Sequence, residues 1–153
     1  MCGLPASGKT TAARVLAERR KGVRLSPDEW LYRLDMMGDD EPRRAVVEEM
    51  QWELAQALVA HGGTVILEAG FWSKSDRDEK RERARQLGAR VELHVLDVPV
   101  EELARRVVAR NADLPAATFT VSPEDIAAWA PLFEIPQPDE LALFDPAQGA
   151  SAT

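Results

Sequence analysis

Residues 3–10 read Gly3-Leu4-Pro5-Ala6-Ser7-Gly8-Lys9-Thr10, which meets every fixed position of the pattern G-x-x-x-x-G-K-[ST]. No other feature constrains the fold as much, because the pattern works only as a turn leading from a strand into a helix. The glycines let successive backbone N–H groups face one concavity, and the helix opening at Lys9 adds its positive end. Lys9 then reaches the β and γ phosphates of a nucleoside triphosphate, and the Thr10 hydroxyl ligates Mg²⁺. The predicted ATP-binding residues are Gly3, Pro5, Ala6, Ser7, Gly8, Lys9, Thr10 and Thr11.

Beyond this turn, helical and extended patterns alternate, the signature of an α/β domain with a mostly parallel sheet. Helices are predicted from Lys9 to Arg20, from Ser26, over 42–61, over Ser75–Leu87, over Val100–Ala109 and from Ser122 to about Phe133. Ser26-Pro27-Asp28-Glu29 reads as a capping box, with Glu29 as the reciprocating acid. Gly38-Asp39-Asp40-Glu41 reads as a turn, and Val46, Val47, Met50, Leu54, Ala57 and Leu58 as the inward stripe of the third helix. Strands are predicted at Val23–Leu25, Thr64–Leu67 and Val91–Leu96, with a weak last one at Leu141–Phe144. The domain is expected over residues 1–145, followed by a disordered tail over 146–153.

Composition removes several alternatives. One cysteine and two histidines exclude a disulfide framework and a four-ligand zinc site, and the absence of a long apolar run or a leader pattern predicts a cytoplasmic protein with no membrane role. The net charge of −7 is uneven: residues 111–153 carry seven acids and no base. Such a balance disfavours nucleic acid as partner, although residues 74–90 hold seven bases against four acids. That segment reads either as a phosphate-facing patch or as a helix laced with ion pairs.

Two carboxylates are predicted beside the phosphate loop. Asp28 follows the second strand and Glu68 ends the third, and the carboxyl ends of parallel strands face the ligand crevice. Phosphoryl transfer needs one carboxylate to accept the acceptor hydroxyl's proton and another to orient Mg²⁺, which makes Asp28 a catalytic candidate and Glu68 a metal candidate beside Thr10. An acid in a first helical turn is also favoured by the dipole alone. Arg106 and Arg110 stand four apart on one helix face, followed by Asn111, and are placed either on the transferring phosphate or in bridges to Glu101 and Glu102. The irregular stretch 111–122 reads as a lid. Phe71-Trp72 flank a ring or serve, with Trp30, Trp52 and Trp129, as packing aromatics; His94, His61 and Cys2 read as structural.

Taken together, G-L-P-A-S-G-K-T, S-P-D-E-W at 26–30, V-I-L-E-A-G-F-W at 65–72, L-D-V-P at 96–99 and R-R-V-V-A-R-N at 105–111 resemble the bacterial AAA-type ATP-binding proteins of the P-loop kinase group. Their relatives include polynucleotide 5′-kinases, zeta-type toxins and chloramphenicol phosphotransferases. The resemblance spans nearly the whole chain and implies a kinase-like three-layer sandwich that transfers the γ-phosphate of ATP to a hydroxyl of a small molecule or, less favoured, a nucleic-acid end. It implies ATP–Mg²⁺ on Lys9 and Thr10, with Asn111 near the nucleotide. Asp28 would meet the acceptor, and Arg106 and Arg110 would serve in the lid. Where such proteins usually end the third strand with Asp, this chain has Glu68. The alternative is a nucleotide-binding module without efficient turnover.

One requirement of the motif is met only in part. A phosphate loop follows a strand, and Met1 and Cys2 alone precede Gly3. The expectation is a truncated first strand, with a stub before Gly3 and a gap or forced closure between 64–68 and 91–96.

Overall fold

A computed structural model describes residues 1–36 and 41–147, with the side chain of Glu41 left out. The predicted turn at Gly38-Asp39-Asp40 and residues 148–153 of the predicted tail lie outside the described residues. In chain order the elements are α1 (Lys9–Arg20), β1 (Val23–Leu25), α2 (Pro27–Arg33), α3 (Glu41–Ala60), β2 (Val65–Leu67), α4 (Lys74–Gln86), α5 (Val100–Ala112), α6 (Pro123–Trp129) with a 3₁₀ turn at Ala130–Leu132, and α7 (Pro138–Leu141).

The result is an α/β molecule with a small parallel sheet. β1 and β2 pair in parallel with Val23 opposite Val65 and Leu25 opposite Leu67, as expected for strands separated by helices. Alternation along β2 sends its side chains to opposite layers. Ile66 packs with Met1, Ala13 and Leu16 of the α1 side, whereas Val65 and Leu67 pack with Trp52, Ala55 and Ala84 of α3 and α4. A third cluster joins Leu103 and Val107 of α5 to Ile126, Val121 and Phe133.

Where helices were read from local signals, they form. Ser122 and Asp125 build a reciprocal capping box at α6, and Ser73 accepts the Asp76 N–H at the start of α4. Lys21 takes the left-handed conformation that ends α1.

Five expectations are corrected. Residues 91–96 form no ladder: Val95 bridges to Cys2, whose N–H and carbonyl bond His94 and Leu96, and Val91 bonds Asp145, so the segment pairs only at isolated points. Leu141–Phe144 is no strand; Pro138, Asp139 and Glu140 start α7, drawn in by the buried ion pair of Glu140 with Arg77. Ser26 makes no side-chain cap, because Glu29 turns away to ion-pair with Arg24 and Arg14. On α3 the buried face is Val47, Gln51, Trp52 and Ala55, while Val46, Met50 and Leu54 of the predicted stripe are exposed. Finally, α5 runs through Asn111 to Ala112, so the irregular lid segment begins at Asp113.

The stub expectation meets a definite geometry. Cys2 bridges in parallel to both Gly70 and Val95, so Met1–Gly3 sits between the two central segments. Met1 and Cys2 are buried.

Candidate functional site

The phosphate loop takes the backbone that its sequence requires. Gly3 has φ 150°, and a Cβ there would lie 2.7 Å from the Leu96 carbonyl oxygen, so only glycine fits. Gly8, at φ 100°, is the N-cap residue of α1 and offers no side chain to its free N–H groups. The first turn of α1 also holds no acid. The positive end of a twelve-residue helix therefore opens onto the loop with no acid of its own first turn against it. Ala6 stands at φ 62°, a conformation unfavourable for a side-chain-bearing residue.

That opening is part of a cavity of about 600 Å³. Pro5, Ala6, Gly8, Lys9, Thr10 and Thr11 line one side, and Asp28, Glu68, Arg106 and Arg110 line the others. Gly3 lies beneath the loop, its N–H donating to the Gly70 carbonyl at 3.0 Å. Ser7 is buried, with its Oγ unpartnered among the described residues. Asn111 stands outside the lining and donates its side-chain amide to the Val121 carbonyl at 2.8 Å, which ties the end of α5 to the far end of the lid.

Lys9 folds back onto its own loop, donating to the Leu4 carbonyl at 2.7 Å. Burial lowers its pKa to about 8, with Glu68 and Asp28 pulling the other way. Thr10 donates to Glu68, whose other oxygen accepts from Arg24. Arg24 also holds Glu29, and burial of its guanidinium is outweighed by these two carboxylates, so its pKa is raised. Asp28 accepts from Arg44 Nη1 at 2.7 Å, and Arg44 also pairs with Glu48 at 3.0 Å.

Hydroxyl and carboxylate oxygens therefore meet at Thr10 and Glu68. Mg²⁺ characteristically uses one or two carboxylates and completes its shell with phosphate oxygens and water, so this donor set fits it. Among the described residues no cluster of three or more His, Cys, Asp or Glu is placed to hold a metal ion.

The arginines approach from α5. Arg106 donates to the Ala6 carbonyl of the loop at 3.5 Å and to Glu102 at 2.7 Å, the latter being one of the bridges read from sequence. Arg110 donates to the Phe119 carbonyl at 3.3 Å, while its Nε is buried without a partner among the described residues. Burial lowers the Arg110 pKa, with Asp28 opposing. Residues 115–119 of the lid segment also line the cavity, and Ala117 there has φ 59°.

Aromatic placement divides the pair read together. Trp72 faces the cavity with Trp129, ring centroids 5.9 Å apart, and donates its indole N–H to the Gly3 carbonyl at 3.2 Å. Phe71 instead lines a second cavity on the other side of the loop. Trp30 and Trp52 pack in the α3 layer. Cys2 is buried, donates to the Phe71 carbonyl, and has its pKa raised by that burial. His61 contacts the Ala57 carbonyl at the end of α3, and His94 contacts Glu92.

Sequence reading missed Arg24, Arg44 and Arg14. Arg24 carried a signal, since it stands in the second strand two residues before Ser26; Arg44 reaches Asp28 only through the packing of α2 on α3. Most bases of 74–90 are in ion pairs, including Arg77 with Glu140, Arg81 with Asp78 and Lys80 with Asp76, while Arg83 donates to Gln56 and Gln86 and Arg90 to the Pro146 carbonyl. Among the described residues no helix is long and apolar enough to cross a membrane.

No curated protein and no solved structure matches the chain. The family described as "AAA domain" matches over residues 1–136, a span that holds the phosphate loop, both carboxylates and both arginines. The chain thus belongs to the AAA domain family of P-loop nucleotide-binding proteins.

Proposed function

We propose that the protein is a kinase that transfers the γ-phosphate of ATP, as its Mg²⁺ complex, to a hydroxyl of a small molecule. The observation that carries this reading is the convergence of the α1 helix terminus, Lys9, the carboxylates Asp28 and Glu68, and the α5 arginines Arg106 and Arg110 on a single cavity, which Glu29, Arg14 and Arg44 also line. A family match alone speaks for nucleotide binding; the second carboxylate and the arginines speak for transfer. With the strand layer flanked by α1 on one side and α3 and α4 on the other, the reading extends to a kinase-like sandwich.

In this mechanism the N–H groups of the loop and of the α1 terminus hold the phosphates, and Lys9 leaves the Leu4 carbonyl to meet the β and γ oxygens. Thr10 and Glu68 would hold Mg²⁺, which would supply positive charge against the phosphates. Asp28, oriented by Arg44, accepts the proton of the acceptor hydroxyl. The acceptor oxygen bonds to the γ phosphorus as the bond to the β–γ bridging oxygen breaks, and ADP departs with that electron pair. Arg106 and Arg110 stabilise the charge spread over the transferring group. Residues 113–122 close over the cavity and exclude water.

A small molecule is preferred over a nucleic-acid end because no base of 74–90 lines the phosphate-loop cavity and most of them are engaged in ion pairs. A binding module without efficient turnover is the second reading, favoured by the engagement of Glu68 with Arg24 and of Asp28 with Arg44. The test has two stages. ATP–Mg²⁺ is expected to raise the melting temperature, and Lys9→Ala to remove that shift. A γ-phosphate transfer screen over nucleosides, sugars, antibiotics and 5′-hydroxyl oligonucleotides then separates kinase from binder. An undiminished shift in the Lys9→Ala variant overturns the nucleotide site; transfer to no acceptor overturns the kinase.

A further inference from the structure

Arg24 is the charged residue of β1, and the pleat decides where its charge goes. Its neighbour Leu25 packs with Trp52 and Ala55 on the α3 side, so Arg24 projects from the opposite face of the sheet, the face on which its register partner Ile66 meets α1. There the guanidinium divides between two carboxylates: Nη1 donates to Glu68 Oε2 and Nη2 to Glu29 Oε1. Glu68 Oε1 accepts from the Thr10 hydroxyl, and Glu29 Oε1 accepts from Arg14 Nη2 at 3.2 Å. Thr10 and Arg14 stand four apart on one face of α1. The circuit through Thr10, Glu68, Arg24, Glu29 and Arg14 therefore begins and ends on the same helix, and the planar fork of arginine suits its centre better than the point charge of a lysine.

Burial gives the Arg24–Glu68 pair its weight. The two side chains are 13% and 6% exposed, so water and salt screen their attraction little. In charge the circuit is balanced, with Arg14 and Arg24 set against Glu29 and Glu68. The rest of the cavity wall offers a free cation nothing more, since Asp28 is held by Arg44 and the other charged groups facing it are Lys9, Arg106 and Arg110. A divalent ion on Thr10 and Glu68 would bring two positive charges to a wall with no negative charge to spare. Phosphate oxygens held by the loop would supply what is missing.

We infer that Arg24 is a positioning residue that makes the metal site conditional on phosphate: it neutralises Glu68 and turns Oε1 toward Thr10, so that Mg²⁺ enters with the phosphates of the nucleotide and not ahead of them. Without that counter-charge Glu68 would attract divalent ions on its own and would repel the γ-phosphate that Lys9 is placed to meet. The inference rests on the reading of Thr10 and Glu68 as the metal donors. It does not depend on phosphoryl transfer.

The test uses Mn²⁺, which takes the same oxygen donors as Mg²⁺, and reads its binding to the full chain by electron paramagnetic resonance. The wild-type protein is expected to hold Mn²⁺ in the presence of the β–γ imido analogue of ATP and to release it when the analogue is left out. Arg24→Gln is expected to bind Mn²⁺ without nucleotide about tenfold or more tightly than the wild type, because a charge in contact with the carboxylate is gone. Arg24→Lys keeps the charge and is expected to behave as the wild type does. Arg24→Gln/Glu68→Gln is expected to lose the gain, which assigns the bound ion to Glu68 rather than to other surface acids. Equal Mn²⁺ binding by the wild type with and without the analogue overturns the inference alone, and that arm needs no variant to fold. So does a folded Arg24→Gln with no gain, a gain of the same size in Arg24→Lys, or a gain that survives Glu68→Gln. Failure of the wild type to hold Mn²⁺ even with the analogue overturns the reading of Thr10 and Glu68 as metal donors, and the inference with it.

Discussion

Arg77 connects three parts of the molecule, and its removal is expected to cost more than any surface charge would. The guanidinium donates from Nε to Glu140 Oε1 at 2.6 Å and from Nη2 to Oε2 at 3.0 Å, while Nη1 meets the Phe71 and Trp72 carbonyls, each at 2.9 Å. The two side chains are 1% and 3% exposed, so neither charge has water to fall back on. Arg77→Met keeps much of the stem's volume but leaves the Glu140 carboxylate buried and unpaired, which costs about 3–5 kcal/mol. Loss of the two carbonyl bonds adds on the order of 1 kcal/mol. Glu140→Leu alone strands the buried guanidinium and should also cost about 3–5 kcal/mol, whereas in Arg77→Met/Glu140→Leu the buried charge is gone, so about 2 kcal/mol of destabilisation should remain and the coupling between the sites should be about 5 kcal/mol or more. Urea unfolding followed by tryptophan fluorescence measures all three variants. A cost below about 1 kcal/mol for Arg77→Met, or simple additivity in the double variant, refutes the reasoning. Because Trp72 also bonds the Gly3 carbonyl, nucleotide affinity should weaken in the single variant alongside stability.

Lys9 carries a folded pKa of about 8 against 10.5, so between those values the unfolded chain binds more protons and stability rises with pH. Lys9→Met should flatten that slope in denaturation curves, and an unchanged slope refutes the burial argument. The Met1 amine, at about 6 against 8.0, gives the same sign over pH 6 to 8, and Nα-acetylation should abolish the rise. Asp28→Asn should lower turnover by about 10²-fold or more with ATP affinity within about twofold, as measured by transfer kinetics and calorimetry. Arg110→Ala should lower turnover by about 10²-fold while affinity changes far less; an effect on affinity alone would make Arg110 a ground-state clamp.

What the amino-acid sequence determined by itself is local. The phosphate loop, its glycine conformations, the helix that follows, and the caps at Ser73 and Ser122 all close their hydrogen bonds within a few residues. The position of Glu68 was also legible, because a polar residue ending an apolar run marks the carboxyl end of a strand, and that of Asp28 because Ser26-Pro27 opens a helix directly after β1. Pairing was decided elsewhere. Val91–Leu96 has a strand's composition yet pairs only at isolated points, with Cys2 near one end and Asp145 at the other, since a strand completes its bonds on a neighbour that its own composition does not specify. Leu141–Phe144 follows α7 instead, because the Glu140 carboxylate is drawn to Arg77 some sixty positions away. The side-chain partners of the site were equally hidden: Arg44 reaches Asp28, and Arg24 ties Glu29 to Glu68, through packing that brings separate elements together. Even the outward turn of Val46, Met50 and Leu54 on α3 was undecided by periodicity, for that helix has apolar residues on two faces and only its contact with the sheet layer selects one.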